Sequence, residues 1–371
     1  MAFTQNILSI YSLINECLQR HIPFAAYRQP GQKNVELVIQ ASTRLDILGE
    51  NDKLIEKKGF AFFPFASSAL PAVLIRPDFF LSEKNISEEA IVRILTGVSF
   101  SENGYKKPEP HQASRKEFCE GAEMLVQEIK KGTARKVVLS RVHLQQAEEG
   151  FSVVEYFRRL VKIYPNACAY LAYIPHTGLW MGATPELLLQ TQQHELNTVS
   201  LAGTKKIEAN NDFQWGSKEL DEQKIVSDHI RACMEKYFSE IEVKGPETVI
   251  AGPVEHLKTS FKVSADNKQI AEVFDRLLKE LQPTPAIAGF PKAAALDLIA
   301  KAEKHDRAYY SGFLGPVNLN GKTSLFVNLR CLEVLDKHLA LYLGAGITAD
   351  SDPDAEWEET RLKAKTLLNI L

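Results

Sequence analysis

The sequence predicts an α+β fold built on antiparallel sheets. Short strand-like runs follow one another in hairpin order, and helical segments fall between groups of strands rather than after every strand. No unit repeats at a fixed spacing of 20–50 residues, and no tract is low in complexity. The 371 residues, 45% of them hydrophobic, suffice for a large core in one or two domains.

The elements follow in order. Residues 5–20 place Ile7, Leu8, Tyr11, Leu13, Ile14 and Leu18 at helical spacing. Strand runs come next at 24–27, 35–39, 61–65 and 72–75. Residues 82–113 are polar, carry Pro108 and Pro110, and are expected to be a linker or surface loop. That boundary separates an N-terminal part of the fold, 1–113, from a main region, 114–371. A helix is expected over 114–131, a strand over 136–144 and a helix over 153–163. A strand pair, 167–174 and 179–183, surrounds the turn Pro175-His-Thr-Gly178. A strand at 195–201 and a long helix over 216–240 follow. Strands at 247–251 and 257–263 precede helices at 270–281 and 291–304. Strands near 309–317, 324–334 and 339–345 lead to a last helix, capped by Asp352 with Pro353 at its first position.

Composition narrows the function. A net charge of −3 offers no electrostatic case for nucleic acid or a membrane surface. No apolar run approaches the roughly 20 residues that span a bilayer, and the first residues lack the basic region and apolar stretch of a secretory signal. Five scattered cysteines without a C-x-x-C pair read as reduced thiols in a cytoplasmic protein.

Four glutamates carry the strongest chemical signal. Glu219 and Glu222 are spaced i, i+3, as are Glu356 and Glu359, so each pair shares one helix face. If two such faces met, they would form a cage of oxygens suited to a hard cation, Mg²⁺ best. Read singly, each pair is a solvated helix face. In the strand starting at Lys136, alternation puts Lys136, Val138 and Ser140 on one side. An inward lysine is a candidate base, and otherwise a strand-end lysine whose stem reaches water. Glu186 follows Pro185 where an apolar strand stops. It is a candidate acid held protonated by apolar surroundings, or a residue in the first turn of a short helix. Arg330 ends a strand and suits a carboxylate clamp. The turns at 201–204 and 344–346 allow close backbone approach to a ligand. Lys363, four residues after Glu359, makes a helical ion pair or a site residue.

Ten segments stand in a specific order: Lys136-Val-Val-Leu-Ser-Arg141, Gly182-Ala-Thr-Pro-Glu-Leu187, Leu201-Ala-Gly-Thr204, Ser217-Lys-Glu-x-x-Glu222, His256-Leu-x-Thr259, Pro283-Thr-Pro-Ala-Ile287, Asp306-Arg-x-Tyr-Tyr-Ser-Gly312, Leu329-Arg-Cys331, Gly344-Ala-Gly-Ile347 and Glu356-Trp-x-Glu-Thr360. Together they resemble the chorismate-utilising enzymes and, within that family, the isochorismate-forming members. The resemblance covers about residues 114–371. It implies two large antiparallel sheets packed together and flanked by helices, with 114–371 as the catalytic region. It also implies Mg²⁺-dependent conversion of chorismate to isochorismate, a starting compound for menaquinone and for catechol siderophores.

The resemblance assigns roles residue by residue. Lys136 would activate water for attack on ring carbon 2, and Glu186 would protonate the departing 4-hydroxyl. Glu222 and Glu356 would hold Mg²⁺ directly, with Glu219 and Glu359 acting through water. Arg330, with backbone near Gly346, would hold the enolpyruvyl carboxylate, and Lys363 would lie near the ring carboxylate. His256 would lie near the ring, with Thr204, Ala286, Tyr310, Gly344 and Ala345 as further substrate contacts. A monomer without a glutaminase partner is expected. Gln223 departs from the usual His, Glu219 from a common Asp, and Tyr310-Ser-Gly-Phe-Leu-Gly315 from the commoner Tyr-Ala-Gly-Pro-Val-Gly. Lys136 favours water over ammonia as nucleophile, since the anthranilate branch typically has Gln there. Salicylate synthase, which then eliminates pyruvate, is the nearer rival. A non-catalytic binding protein on this fold would be expected to have lost one of Lys136, Glu186, Glu222 and Glu356.

Overall fold

The computed structural model describes residues 9–66, 68–97, 109–206, 215–251 and 254–371. Within them the apolar strands assemble into two nine-stranded sheets in which every pairing is antiparallel. The first sheet runs in space as Gly289–Phe290, Lys136–Gln146, His338–Ile347, Cys331–Val334, Gly178–Thr184, Cys168–Ile174, Phe24–Arg28, Glu36–Ile39 and Phe79–Ser82. The second runs as Glu242–Ala251, Val254–Ser264, Glu195–Lys206, Leu187–Gln192, Lys322–Val327, Phe313–Val317, Gly59–Phe63, Ala72–Ile75 and Asp46–Leu48. Strands from the first 82 residues form one edge of each sheet.

The sheets pack face to face on a buried layer that includes Phe60, Phe62, Tyr170, Trp180, Tyr309 and Tyr342. Phe62 and Tyr309 have ring centroids 4.3 Å apart, and Trp180 stacks on Tyr342 at 5.2 Å. Each such side chain contributes about 1.5–3 kcal/mol through burial. Helices Ile10–Gln19, Val153–Ile163 and Pro353–Leu368 cover the outer face of the first sheet. Ser217–Glu235 and Asn267–Leu281 cover the second. Arg115–Lys130 and Lys292–Ala302 pack against the Lys136 strand. The alternation of helices and strand groups in the sequence therefore yields four layers, with both sheets inside.

Local chemistry sets the helix ends. Ser114 and Glu117 form a reciprocal capping box at Arg115–Lys130. Asp352 accepts a hydrogen bond from the Ala355 N–H at 2.8 Å, and Pro353 occupies the first position of the C-terminal helix.

The structure corrects several expectations. Residues 82–113 are not a loop throughout, for Glu88–Gly97 is a helix whose Ile91 and Ile94 are buried in the outer core of the first sheet. The apolar residues of this helix, Ala90, Ile91, Val92, Ile94 and Leu95, occupy less than two turns inside a polar stretch, which is too short to stand out as a helical period. Residues 98–108 and 5–8 lie outside the described residues. The expected strand at 324–334 is two strands, one in each sheet, broken at Asn328. Leu187–Gln192 is a further strand, so Glu186 does not begin a helix. The long helix ends at Glu235 rather than 240. Among the described residues, no helix is long and apolar enough to cross a membrane.

Arg141 fastens the C-terminal helix to the Lys136 strand. It is buried, its Nε donates to Thr360 Oγ1 at 2.7 Å, and its guanidinium lies 4.0 Å from the Trp357 ring centroid. Arg141→Ala is expected to cost about 2–4 kcal/mol from the lost charged hydrogen bond and cation–π contact. The urea midpoint followed by tryptophan fluorescence checks this, and an unchanged midpoint would contradict it.

Candidate active site

The chain crosses from one sheet to the other at two neighbouring places. Gly178–Thr184 belongs to the first sheet and Leu187–Gln192 to the second, so Pro185 and Glu186 form one crossing. Lys322–Val327 and Cys331–Val334 flank the other, Asn328 to Arg330. The crossings are tied together. The Val327 N–H donates to the Glu186 carbonyl at 3.0 Å, and the Ala183 N–H to the Arg330 carbonyl at 3.1 Å. The Thr184 hydroxyl donates to the Val327 carbonyl at 2.5 Å. A Cβ at Gly182 would lie 2.6 Å from the Arg330 carbonyl oxygen, so only glycine permits this approach. Arg330 adopts φ +48°, and the Asn328 side chain bridges Tyr170 and Tyr309. Glu186 and Arg330 are thereby delivered into the space between the sheets.

That space is a pocket. Its walls include Val138, Glu186, Thr204, Glu222, His256, Ala286, Tyr310, Arg330, Tyr342, Gly344, Ala345, Gly346 and Lys363. Glu186 is 3% exposed, and burial pushes its pKa up to about 8 despite the opposing pull of Lys136 and Arg330. It therefore carries its proton at neutral pH and can donate it.

His256 has a defined tautomer. A bulge in the strand register between Ala202 and Thr204, with Gly203 at φ +72°, turns the Gly203 carbonyl toward the ring. His256 Nδ1–H donates to that carbonyl at 3.0 Å, which leaves Nε2 to accept from Arg330 Nη2 at 2.7 Å. Burial, then Arg330 and Lys363, push the His256 pKa down to about 3. The ring is neutral and acts as an acceptor. Burial lowers the Arg330 pKa to about 10, which still leaves it charged.

The four glutamates come from two helices. Glu222 forms an ion pair with Lys136 at 2.7 Å, Glu356 with Lys218 at 2.8 Å, and Glu359 with Lys363 at 2.7 Å. Lys136 is fully buried at the start of its strand. Burial disfavours charge on Glu222, but Lys136 outweighs it and lowers the pKa. Burial and then Glu359 raise the pKa of Glu356. Burial works against charge on Lys363, and Glu359 overrides it. Lys363 also donates to the Gly344 carbonyl at 2.8 Å. It can do so because His338–Ile347 outruns its neighbour Cys331–Val334, leaving that strand edge unpaired beyond Leu341 among the described residues.

Glu219 is not drawn into these pairs. A Cβ on Gly216 would lie 2.6 Å from its Oε2, and one on Gly203 would lie 3.2 Å from its Cβ, so it sits at the start of its helix against both glycines. Among the described residues, no three acidic or imidazole side chains are gathered closely enough to hold a metal as they stand. The donor chemistry nonetheless fits a hard cation. Lys218 contacts Glu356 at 2.8 Å, and Glu359 and Glu222 act on the same ammonium at longer range, so carboxylates of both helices converge on one cation.

Lys218 and Tyr342 were not anticipated from sequence. Tyr342, stacked on Tyr310 at 5.8 Å, lies two residues before Gly344, so strand alternation alone could have found it. Lys218 precedes Glu219 in a polar run and gave no signal beyond its i, i+4 spacing to Glu222. Gln223, buried, donates to Ser200 Oγ at 2.8 Å and Thr259 Oγ1 at 3.1 Å and so ties the first glutamate helix to two strands.

Comparison with known proteins follows the same lines. Residues 82–371 match the family model described as chorismate binding enzyme. Isochorismate synthase EntC of Escherichia coli is 30% identical over 244 residues, which are 63% of this chain and 62% of EntC. The match thus spans less than two thirds of that relative. Among solved structures, MenF, the menaquinone-specific isochorismate synthase from Escherichia coli, superimposes with a TM-score of 0.73 at 21% identity, over 94% of this chain and 88% of that one. Anthranilate synthase component I from Streptococcus pneumoniae gives 0.66 at 19% identity, over 93% and 89%. These two likenesses establish the fold of two antiparallel sheets with flanking helices.

Glu186 provides a test independent of turnover. Its folded-state pKa of about 8 lies above the unfolded value near 4.3, so the bound proton stabilises the folded chain. That contribution is full below the unfolded pKa and is lost as pH rises through about 8. The protonated-carboxyl infrared band of Glu186 is expected to fade over that rise and to be missing from E186Q, whose stability should fall less between pH 5 and 8. A band that disappears near the ordinary carboxylate range would contradict the assignment.

Proposed function

The chain belongs to the chorismate-binding enzyme family, and from that premise we propose that it converts chorismate to isochorismate with Mg²⁺. One observation carries the reading. Glu186 lines the pocket from a crossing, and Lys136, at the start of a strand, lies directly behind the wall residues Glu222 and Gly346, so base and acid can act at separate ring positions. In its neutral amine form, Lys136 takes a proton from the water that attacks ring carbon 2 and becomes the ammonium. Glu186 gives its proton to the hydroxyl leaving carbon 4. The roles exchange in the reverse direction, and conversion is expected to stop at an equilibrium short of completion.

The remaining residues orient the substrate. Arg330, steadied by neutral His256, and the backbone near Gly346 hold the enolpyruvyl carboxylate. Lys363 faces the ring carboxylate, and Thr204, Ala286, Tyr310, Gly344 and Ala345 shape the walls. Glu222 and Glu356 would hold Mg²⁺, with Glu219 and Glu359 acting through water. When bound, the ion supplies positive charge against the ring carboxylate. The reading has the protein act on chorismate as a monomer, without a glutaminase subunit. Its five free cysteines accord with the reducing cytoplasm.

Purified protein incubated with chorismate is expected to give isochorismate only with Mg²⁺, at a plateau, with products resolved by chromatography. Lys136→Gln and Glu186→Gln should each lower kcat by at least about 10²–10⁴-fold with the fold retained by circular dichroism. Salicylate with pyruvate would move the assignment to the lyase. No conversion, with or without ammonia, would remove the acid–base roles.

A further inference from the structure

We propose that Lys218 occupies the cation position of the carboxylate cluster and must be displaced for a divalent metal to bind, so that it sets the metal affinity of the site. The inference rests on the metal reading above.

Charge balance is the first argument. Glu222, Glu356 and Glu359 carry three negative charges, and Lys136, Lys218 and Lys363 meet each with one positive charge. With Glu219, which none of these lysines pairs, four formal negative charges face three positive ones. A divalent ion added to the site would leave one uncompensated positive charge in a largely buried space, a costly state. One ammonium must therefore move away.

Geometry selects which. Lys136 is wholly buried, and its ammonium is held by Glu222 at 2.7 Å. The Lys363 side chain is 24% exposed and is also held by the Gly344 carbonyl. The Lys218 side chain is 37% exposed, and its one described ion pair is with Glu356 Oε1, at 2.8 Å. Its flexible stem lets the ammonium swing to solvent at small cost. Lys218 also sits where the metal is wanted. Its partner Glu356 is 2% exposed, and its charge is felt by Glu359 on the C-terminal helix and by Glu222 one turn along its own. A single ammonium bridging the two glutamate helices does in the metal-free state what a divalent ion would do between them. Lys218 and the metal are thus competing ligands for the same oxygens.

Calorimetric titration of Mg²⁺ and Mn²⁺ into the protein without substrate tests this. Lys218→Gln is expected to bind both ions more tightly, on the order of tenfold, the size of a typical coupling between competing ligands. Lys218→Arg, which keeps the charge, should stay close to the parent affinity. Lys224→Gln removes an equal charge from an exposed pair with Asp228 on the same helix and should change affinity less than about twofold. Metal binding to the parent with equal or weaker binding to Lys218→Gln would overturn the role of Lys218 and leave the metal reading standing. Equal tightening in Lys224→Gln would show a general charge effect and overturn it as well. No binding to the parent or to any variant would overturn the metal reading and this inference together.

Discussion

The side-by-side crossing of the chain between its two sheets is the constraint on which the rest depends. A strand that leaves one sheet for another interrupts two ladders, and its backbone groups must find partners in the interior. Here each crossing partly satisfies the other, through Val327 with Glu186, Ala183 with Arg330 and Thr184 with Val327. The mutual pairing fixes their separation. It also accounts for Gly182, where any side chain would collide with the Arg330 carbonyl. Because Glu186 and Arg330 lie within the crossings, they enter the space between the sheets on backbone that cannot drift. An acid and a guanidinium are thereby preorganised without relying on mobile loops.

Burial then sorts the protonation states. Glu186 and His256 both lose charge on burial, and this makes the first a proton donor and the second an acceptor. Glu222 keeps its charge because Lys136 compensates it, whereas burial and Glu359 push the Glu356 pKa up against the pull of Lys218. Replacing such pairs by apolar residues would often leave a protein as stable or more so. Three of them in one cluster are therefore better explained by chemistry than by stability.

How far the sequence reveals this varies by element. The i, i+3 glutamate pairs and the alternating Lys136 strand were legible because each repeats at the period of its own element. The α+β class was legible because hairpin-ordered strands recur between helices. The crossings were not. Residues 324–334 read as one strand, and nothing local says that its halves enter different sheets. Glu186 looked like a strand-end residue for the same reason. Lys218 was hidden by composition, since a lysine among glutamates on a helix resembles any solvated face until the second helix is placed against it.

The two halves of the site are held by different means. Acid, base and guanidinium sit on strands or crossings, locked by ladder hydrogen bonds. The glutamates ride on helices, which have no ladder to the sheets and need separate anchors. The anchors lie beside the residues they must place. Gln223, next to Glu222, reaches Ser200 and Thr259 on two strands. Thr360, next to Glu359, receives Arg141 from the strand that begins with Lys136, and Trp357, next to Glu356, lies under the same guanidinium. Each glutamate pair is therefore referenced to a sheet within one residue of its own carboxylates. These anchors hold each helix in register against the strands without using the lysines that pair with its glutamates. The site needs this property if lysines and a divalent ion are to take turns at the same oxygens.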